Sequence, residues 1–439
     1  MQCRTHHRLV PLLFIVSLAS LGQGQTTQPT VPTDELDARV VEIARDLSAD
    51  EFATRQRAED ALVELGQPAM SSLQRLLETT DDAEALSRLQ SAIKRIEEQV
   101  RLGPTLITLH LRNASAEEAF EALSAQLPKP LKAQGPHVFE GLQDRVTLDC
   151  VNEPFWSVML KLTEQTGIGF ATASSGSGGN ELVRLSVRKP PPYQLFGGFL
   201  VRAESAQRIY SIQYASGDAT ISDFNLLLTV WPDPKMQVFA GPSARNVKIV
   251  RAEDDQGRQM LDNQGSAGGW RSPATVNLSL RLRANNADAK KLAILQGTLS
   301  IPLNLGFETV IHDKLSNEAE KRIGNMLIRI QPLEKVNDRR YLIRFSVYRQ
   351  GASDEAWSLI NHSVFSSVRL EDKDGRQLDR AEWSSSENRA QIIEGTVNFN
   401  RLPRGNQEVG EPVKVIWTIP TEVREIEVPF EFHDLPLPG

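Results

Sequence analysis

The sequence predicts a multidomain α+β protein: a small all-α helical unit, then a βαβα module, then two tandem all-β sandwich-like domains. Three observations carry this reading. Apolar residues recur at helical spacing between Asp34 and Arg101, a strand–helix pattern occurs twice between residues 105 and 188, and short alternating runs dominate from Tyr193 onward. A chain of 439 residues has room for several domains, at roughly 150 residues each. Its 40% hydrophobic and 24% charged content is that of an ordinary globular protein, which excludes a collagen-like, disulfide-scaffold or wholly disordered chain. A net charge of -7 argues against a general nucleic-acid binder, which carries a basic surface.

Residues 1–24 read as a secretory signal peptide. Arg4 and Arg8 precede an apolar run from Leu9 to Leu21, followed by the small and polar Gly22-Gln23-Gly24-Gln25. The run is shorter than the roughly 20 residues that a bilayer span needs, so removal is expected over anchoring, with cleavage between Ala19 and Gln25. The expected address is therefore the periplasm or the exterior, and the mature chain is not expected to span a membrane. Removal leaves Cys150 as the lone cysteine. It alternates in phase with Val146 and Leu148, which places it on the apolar face of a strand as a core thiol rather than a nucleophile.

Residues 25–33 form a polar, proline-containing linker. In the helical unit, 34–101, Leu36, Val40, Ile43 and Leu47 mark a first helix, and Ser48-Ala-Asp-Glu51 fits a capping box for a second. Gly66 ends that helix and Pro68 opens the next. Leu86, Leu89, Ile93, Ile96 and Val100 line one side of a last helix. The unit holds nine basic and sixteen acidic residues, so the whole net charge of the chain sits in it. The stretch EFATRQRAEDALVELGQPAMSSLQRLL, residues 51–77, resembles a HEAT-type helical pair: Ala61-Leu62, Leu65-Gly66, Ala69 and Leu73 stand where that family places its interhelical contacts. One such pair is too few for a solenoid, whose repeats need stacked neighbours.

Residues 105–188 carry the first duplication. Ile107-Thr-Leu109-His-Leu111-Arg-Asn113 aligns with Val146-Thr-Leu148-Asp-Cys150-Val-Asn152, and in the same register Leu123 meets Leu162 and Gln126 meets Gln165. Each copy reads as a strand followed by an amphipathic helix. Ser115 with Glu118 caps the first helix, and Asn152 with Pro154 opens the second. With the strand TLITLHLRNAS, the helix EEAFEALSAQL and the second copy VTLDCVNEPFWSVMLKLTEQTGIGF, this segment resembles the short N-terminal module of secretins and TonB-dependent receptors. The resemblance implies a small non-catalytic domain for protein contacts in a cell envelope. No secretin or receptor barrel follows it. Ser174-Ser-Gly-Ser-Gly-Gly179 is a flexible loop before a strand, which is the wrong context for a phosphate loop, and Pro190-Pro191-Pro192 is a stiff boundary.

The second duplication is the more specific. Val250-Arg-Ala-Glu-Asp-Asp-Gln-Gly257-Arg-Gln259 matches Val368-Arg-Leu-Glu-Asp-Lys-Asp-Gly375-Arg-Gln377, and in the same register Ile301-Pro302 meets Ile419-Pro420. Tandem β-sandwiches over 193–320 and 321–439 follow from it. The acidic tracts in the repeat satisfy part of a calcium loop, but the closing bidentate Glu is missing and a tight turn explains Asp and Gly there. His312-Asp313 and His433-Asp434 recur by duplication, and adjacent strand residues point to opposite faces. Trp231, Trp270, Trp357, Trp383 and Trp417 offer either core packing or platforms for sugar rings. Asn113, Asn277 and Asn361 fit the glycosylation pattern.

No catalytic, cofactor-binding or metal residue is assigned, and no cofactor is expected. The first functional reading is a non-catalytic scaffold that contacts envelope proteins. The second is a glycan- or cell-wall-binding protein using the sandwich faces, with polysaccharide as partner. A hydrolase with a site between the β domains comes third.

Overall fold

The computed structural model describes residues 33–170, 181–211, 214, 221–238, 241–242, 247–261, 267–271, 275–283, 289–350, 357, 360, 364–388, 391–402 and 408–438. The signal peptide, most of the 25–33 linker and the glycine-rich segment 174–179 lie outside them. The protein is mixed α/β with β-rich regions, and it divides into two compact units, 1–97 and 98–439.

The first unit is helical: α1 (Thr33–Arg45), α2 (Phe52–Leu65), α3 (Met70–Thr79) and α4 (Ala83–Leu102), with the division falling inside α4. Val40, Leu47, Leu62, Leu73, Leu89 and Ile96 form its core. Gly66 ends α2 at φ 67, a left-handed conformation open to glycine, and Pro68 sits in the 3-10 turn before α3. The core also holds a buried carboxylate: Glu59 on α2 accepts from Arg88 Nη1 at 3.0 Å and Ser91 Oγ at 2.7 Å on α4. The expected capping box is absent. Glu51, not Ser48, is the N-cap of α2 and makes no side-chain cap bond, because Ser48 closes a 3-10 turn and its side chain bonds Asp82 instead.

The second unit opens with β1 (Leu106–Ser115), α5 (Ala116–Ser124), β2 (Lys132–Ala133), β3 (Arg145–Pro154), α6 (Phe155–Thr166), β4 (Ile168–Phe170) and β5 (Glu181–Arg184). β1 and β3 pair antiparallel, and a second small sheet runs β2-β5-β4. The 39-residue repeat recurs in several of its hydrogen bonds. Gln126 Oε1 accepts from the Thr108 N–H at 3.0 Å, as Gln165 Oε1 does from Thr147 at 3.1 Å. The Asn113 N–H donates to Thr147 Oγ1, and the Asn152 N–H to Thr108 Oγ1. Both asparagines take positive φ, 55 and 53. Ser115 and Glu118 form the expected capping box on α5. Asn152 does not cap α6, because it lies within β3 and the N-cap is Pro154, without a side-chain bond. Cys150 is buried in this core, and burial pushes its thiol above the ordinary range.

The β region follows: β6 (Tyr193–Phe196), β7 (Phe199–Ser211), β8 (Ile221–Pro232), β9 (Gly241–Pro242), β10 (Val247–Asp254), β11 (Ala267–Arg271), β12 (Val276–Arg283) and β13 (Lys291–His312). After them come β14 (Ala319–Ile323), β15 (Met326–Ile330), β16 (Glu334–Lys335), β17 (Arg340–Arg349), β18 (Val368–Asp372), β19 (Asp379–Asn388), β20 (Ile392–Asn400) and β21 (Pro412–Pro436). One sheet runs β6-β7-β8-β12-β11-β9, another β14-β15-β17-β20-β19 with β16 on β17, and a third β10-β13-β21-β18. β13 and β21 pair antiparallel from Lys291↔Pro436 to His312↔Val415, a ladder about 70 Å long at roughly 3.3 Å per residue.

This ladder interleaves the two β halves. Leu295, Leu299 and Ile301 of β13 share the first core with Val428, Phe430 and Phe432 of β21, whereas Val310 shares the second core with Val415, Trp417 and Ile419. The cores therefore do not separate at residue 320 as the sequence suggested. Each long strand is longer than one core is wide, and alternation marks a strand's faces without marking which core each end enters. β10 flanks β13 only over 292–299, and β18 flanks β21 only over 412–417. Pro302 and Pro420 fall just past those flanking ladders, where a missing N–H costs them nothing. At the centre, the register shifts at Gly306, where a Cβ would lie 2.8 Å from Thr421 Oγ1.

Residues 193–320 expressed alone lack the β21 side of the first core and should not fold. In the full chain, Phe430→Ala should cost about 3–5 kcal/mol, the usual penalty for a buried Phe. It should shift the unfolding of both β cores together in a urea titration followed by circular dichroism and tryptophan fluorescence. An unshifted second-core transition would contradict the interleaving.

Candidate functional site

The acidic tracts of the β repeat form tight turns. Asp254 Oδ1 accepts the N–H groups of Gln256 and Arg258 at 2.9 Å each, and Asp372 Oδ1 accepts those of Asp374 and Arg376 at 2.9 and 2.8 Å. Gly257 and Gly375 take the left-handed positions at φ 74 and 76. Burial pushes both carboxyls up, but backbone hydrogen bonds, joined by the Arg258 side-chain bond at Asp254 and by the Arg376 charge near Asp372, outweigh it, and both end below the ordinary range. Among the described residues no group of three or more His, Cys, Asp or Glu could hold a metal ion.

The two histidines are not brought together. His312 and His433 stand near opposite ends of the β13–β21 ladder, facing Val415 and Ile294. His312 Nε2 bonds the Asn317 carbonyl, and His433 Nε2 bonds Glu431. Trp357 and Trp417 are buried in the second core, where Trp417 Nε1 donates to the Val364 carbonyl at 2.7 Å. Trp231 closes the module core, 6.2 Å from Trp156 and 5.8 Å from Phe170 between ring centroids. None of these three is an exposed platform. The side chains of Trp270 and Trp383 lie outside the described residues, as does Asn361.

Two concave surfaces emerge that the sequence reading did not single out. The first, about 620 Å³, lies on the βαβα module, where Phe120, Leu127, Leu131, Phe139 and Leu182 make apolar walls and Glu117 and Glu121 line its α5 side. α5 supplies Phe120, whose ring lies 6.1 Å from that of Phe139. The Leu131 N–H donates to Ser124 Oγ at 2.8 Å, which returns the chain across the end of α5. Between them Pro128 and Pro130 lack N–H groups and pair with neither helix nor sheet, leaving the groove open. β2 ends its sheet, so among the described strands its outer edge is unpaired.

The second, about 520 Å³, lies on the β15–β17–β20–β19 sheet. The register sets Arg329, Ser346 and Glu394 in one cross-strand row and Arg344, Thr396 and Ser384 in the next. Ser346, Gly395 and Thr396 make a low floor, and Tyr348 forms a wall under the Arg329 guanidinium, 5.3 Å from the ring centroid. Arg329 also pairs with Glu320 at 2.7 Å, and Arg344 with Glu334 at 3.0 Å. The alternation in RYLIRFSVYR already places Arg344, Ser346 and Tyr348 on one face, so a face-by-face reading of β17 could have found this wall.

No protein-family model matches the chain, and no curated protein matches it. Among solved structures it is similar to a conserved domain protein from Bacillus anthracis, with a TM-score of 0.15 and 8% identity over 54% of this chain and 89% of that one. So low a score carries no argument. No helix among the described residues is long and apolar enough to cross a membrane.

Asp372→Ala strands three backbone donors, those of Asp374, Arg376 and Gly410, and should destabilise the chain by about 1–3 kcal/mol. Because the native carboxyl lies below its unfolded value, near 3.9, its contribution is full above about pH 4 and is lost as pH falls toward the native value. Asp372→Asn should therefore flatten the acid limb of the stability–pH curve. An unchanged acid limb would show that this carboxylate carries no linkage.

Proposed function

We propose that this chain is an exported, non-catalytic envelope protein that binds other proteins through its βαβα module. In this reading the helical unit is a HEAT-type pair, the module is the short N-terminal domain type of secretins and TonB-dependent receptors, and the β region is a pair of duplicated sandwiches joined by shared strands. The observation that carries the proposal is the apolar groove beside α5. Its walls suit apolar side chains, Glu117 and Glu121 favour a lysine or arginine, and the free β2 edge can pair an extended backbone. The occupant is therefore an extended segment of a partner protein carrying apolar and basic residues.

The test compares cross-linked pull-downs of the full chain with those of Leu131→Glu and of Glu117→Lys/Glu121→Lys. A partner held by wild type, lost with both variants and bound directly once purified supports the proposal. Equal recovery by all three overturns it.

The groove on the second β sheet favours glycan binding as a second reading, since one aromatic wall beside serine, threonine, arginine and glutamate suits a sugar ring and its hydroxyls. Retention on polysaccharide columns that Tyr348→Ala abolishes would favour this reading. Retention unaffected by Tyr348→Ala, or none at all, removes it.

A further inference from the structure

The two aspartate-capped turns share their backbone bonds but differ in what their arginines do. In the first copy Arg258 folds onto the cap, its Nε 2.6 Å from Asp254 Oδ2. In the second, the backbone N–H of Gly410 occupies the equivalent Asp372 Oδ2 at 2.8 Å. Arg376 is thereby turned outward, its Nη1 donating to the Glu408 carbonyl at 3.0 Å and standing 3.2 Å from Asp374. The first tip position also reverses charge, while the second gains a carboxylate where Gln256 becomes Asp374. Asp255, whose N–H bonds the Lys291 carbonyl, is replaced by Lys373.

Beside the second turn lies a pocket of about 440 Å³ lined by Arg339, Lys373, Arg376 and Arg401, with Asp374 and Glu408 as its carboxylates. The cations come from three separate stretches: the entry to β17, the turn after β18 and the exit of β20. The Arg339 carbonyl accepts the Arg401 N–H at 2.7 Å, which fixes two of them side by side. Arg401 pairs with Glu411 at 2.8 Å. Among the described residues, the side chains of Arg339 and Lys373 make no hydrogen bond or ion pair. In the first copy the position of Lys373 holds Asp255, so the two turns present opposite charges at this point.

We infer that this pocket binds a multiply charged oxyanion of the phosphate type. Guanidinium forks match tetrahedral oxyanions, and Lys373 adds a point charge. The lining holds four cations against two carboxylates, and an anion would balance the excess positive charge. The ligand is a phosphate group, whether free, polymer-borne or on a lipid. This site is independent of the module groove.

The test is calorimetric titration of the full chain with inorganic pyrophosphate, alongside co-sedimentation with phosphatidylcholine vesicles containing phosphatidylglycerol. Binding should weaken as salt rises. Lys373→Glu and Arg339→Glu should each weaken it about tenfold, a loss of about 1.4 kcal/mol. Asp255→Lys on the first-copy turn should leave it unchanged, and melting temperatures should confirm that all variants fold. Co-sedimentation lost in both pocket variants would place the phosphate on a lipid headgroup, whereas pyrophosphate binding without co-sedimentation would make it free or polymer-borne. Absence of both pyrophosphate heat and vesicle binding, or wild-type affinity in the Lys373→Glu/Arg339→Glu double variant, would overturn the inference.

Discussion

The antiparallel ladder between β13 and β21 is the constraint on which the second unit rests. Two strands of 22 and 25 residues pair along nearly their whole length, and each contributes one end to each β core. Neither β half can lose its long strand without opening the other. The centre of the ladder also receives the chain that enters the unit: Glu98 pairs with Arg424 at 2.8 Å and Arg101 with Glu422 at 3.0 Å. Nearby, the buried Asp233 accepts from the Thr105 N–H and hydroxyl at 2.7 and 2.6 Å, and Lys235 donates to the Val100 carbonyl at 2.6 Å. A buried carboxylate is tolerable there because its oxygens are filled. The start of the module is thus tied to the end of β8, and Trp231 of that strand completes the module core.

Duplication supplies both the repeated scaffold and the places where the copies part. In the module both halves keep a glutamine that accepts from a strand N–H and a left-handed asparagine, yet only the first glutamine also donates to the strand carbonyl and only the first helix has a capping box. In the β region the Asp-capped turns keep their backbone geometry, while their tips and arginines diverge. Preserved bonds hold the fold, and the differences between copies are where new surface chemistry can arise without loss of the turn. A charge-reversed tip such as Lys373 costs the scaffold little, because the carboxylate that caps the turn is Asp372, one residue earlier.

Much of this was legible in the residues. Alternation placed Val146, Leu148 and Cys150 inside, helical spacing marked Val40, Leu89 and Ile96, and Gly66 with Pro68 marked a helix boundary. The register of the module repeat could be read, since Gln126 and Gln165 meet equivalent backbone donors. That of the β repeat holds along the acidic turns only, because Ala252 lies opposite Leu295 whereas its counterpart Leu370 lies opposite Val415, two residues further on than the turn register places it. The misses have physical causes. Ser48 and Asn152 each have cap chemistry, but their hydrogen bonds go elsewhere: Ser48 to Asp82, across a loop, and the Asn152 N–H to Thr108 on the neighbouring strand. Local sequence cannot say that β21 crosses two cores, since both ends alternate equally well. The grooves gather residues from distant segments, such as Phe120 with Leu182, and only the fold brings those together.

Native-state hydrogen exchange along β13 and β21 tests the interleaving most directly. If the ladder binds both cores, the amides paired from Lys291↔Pro436 to His312↔Val415 should include the slowest in the second unit, and those in both halves should open with one common free energy and one denaturant dependence. Two groups of amides, split near Gly306 and opening at different free energies, would mean that the β halves are independent domains that merely touch.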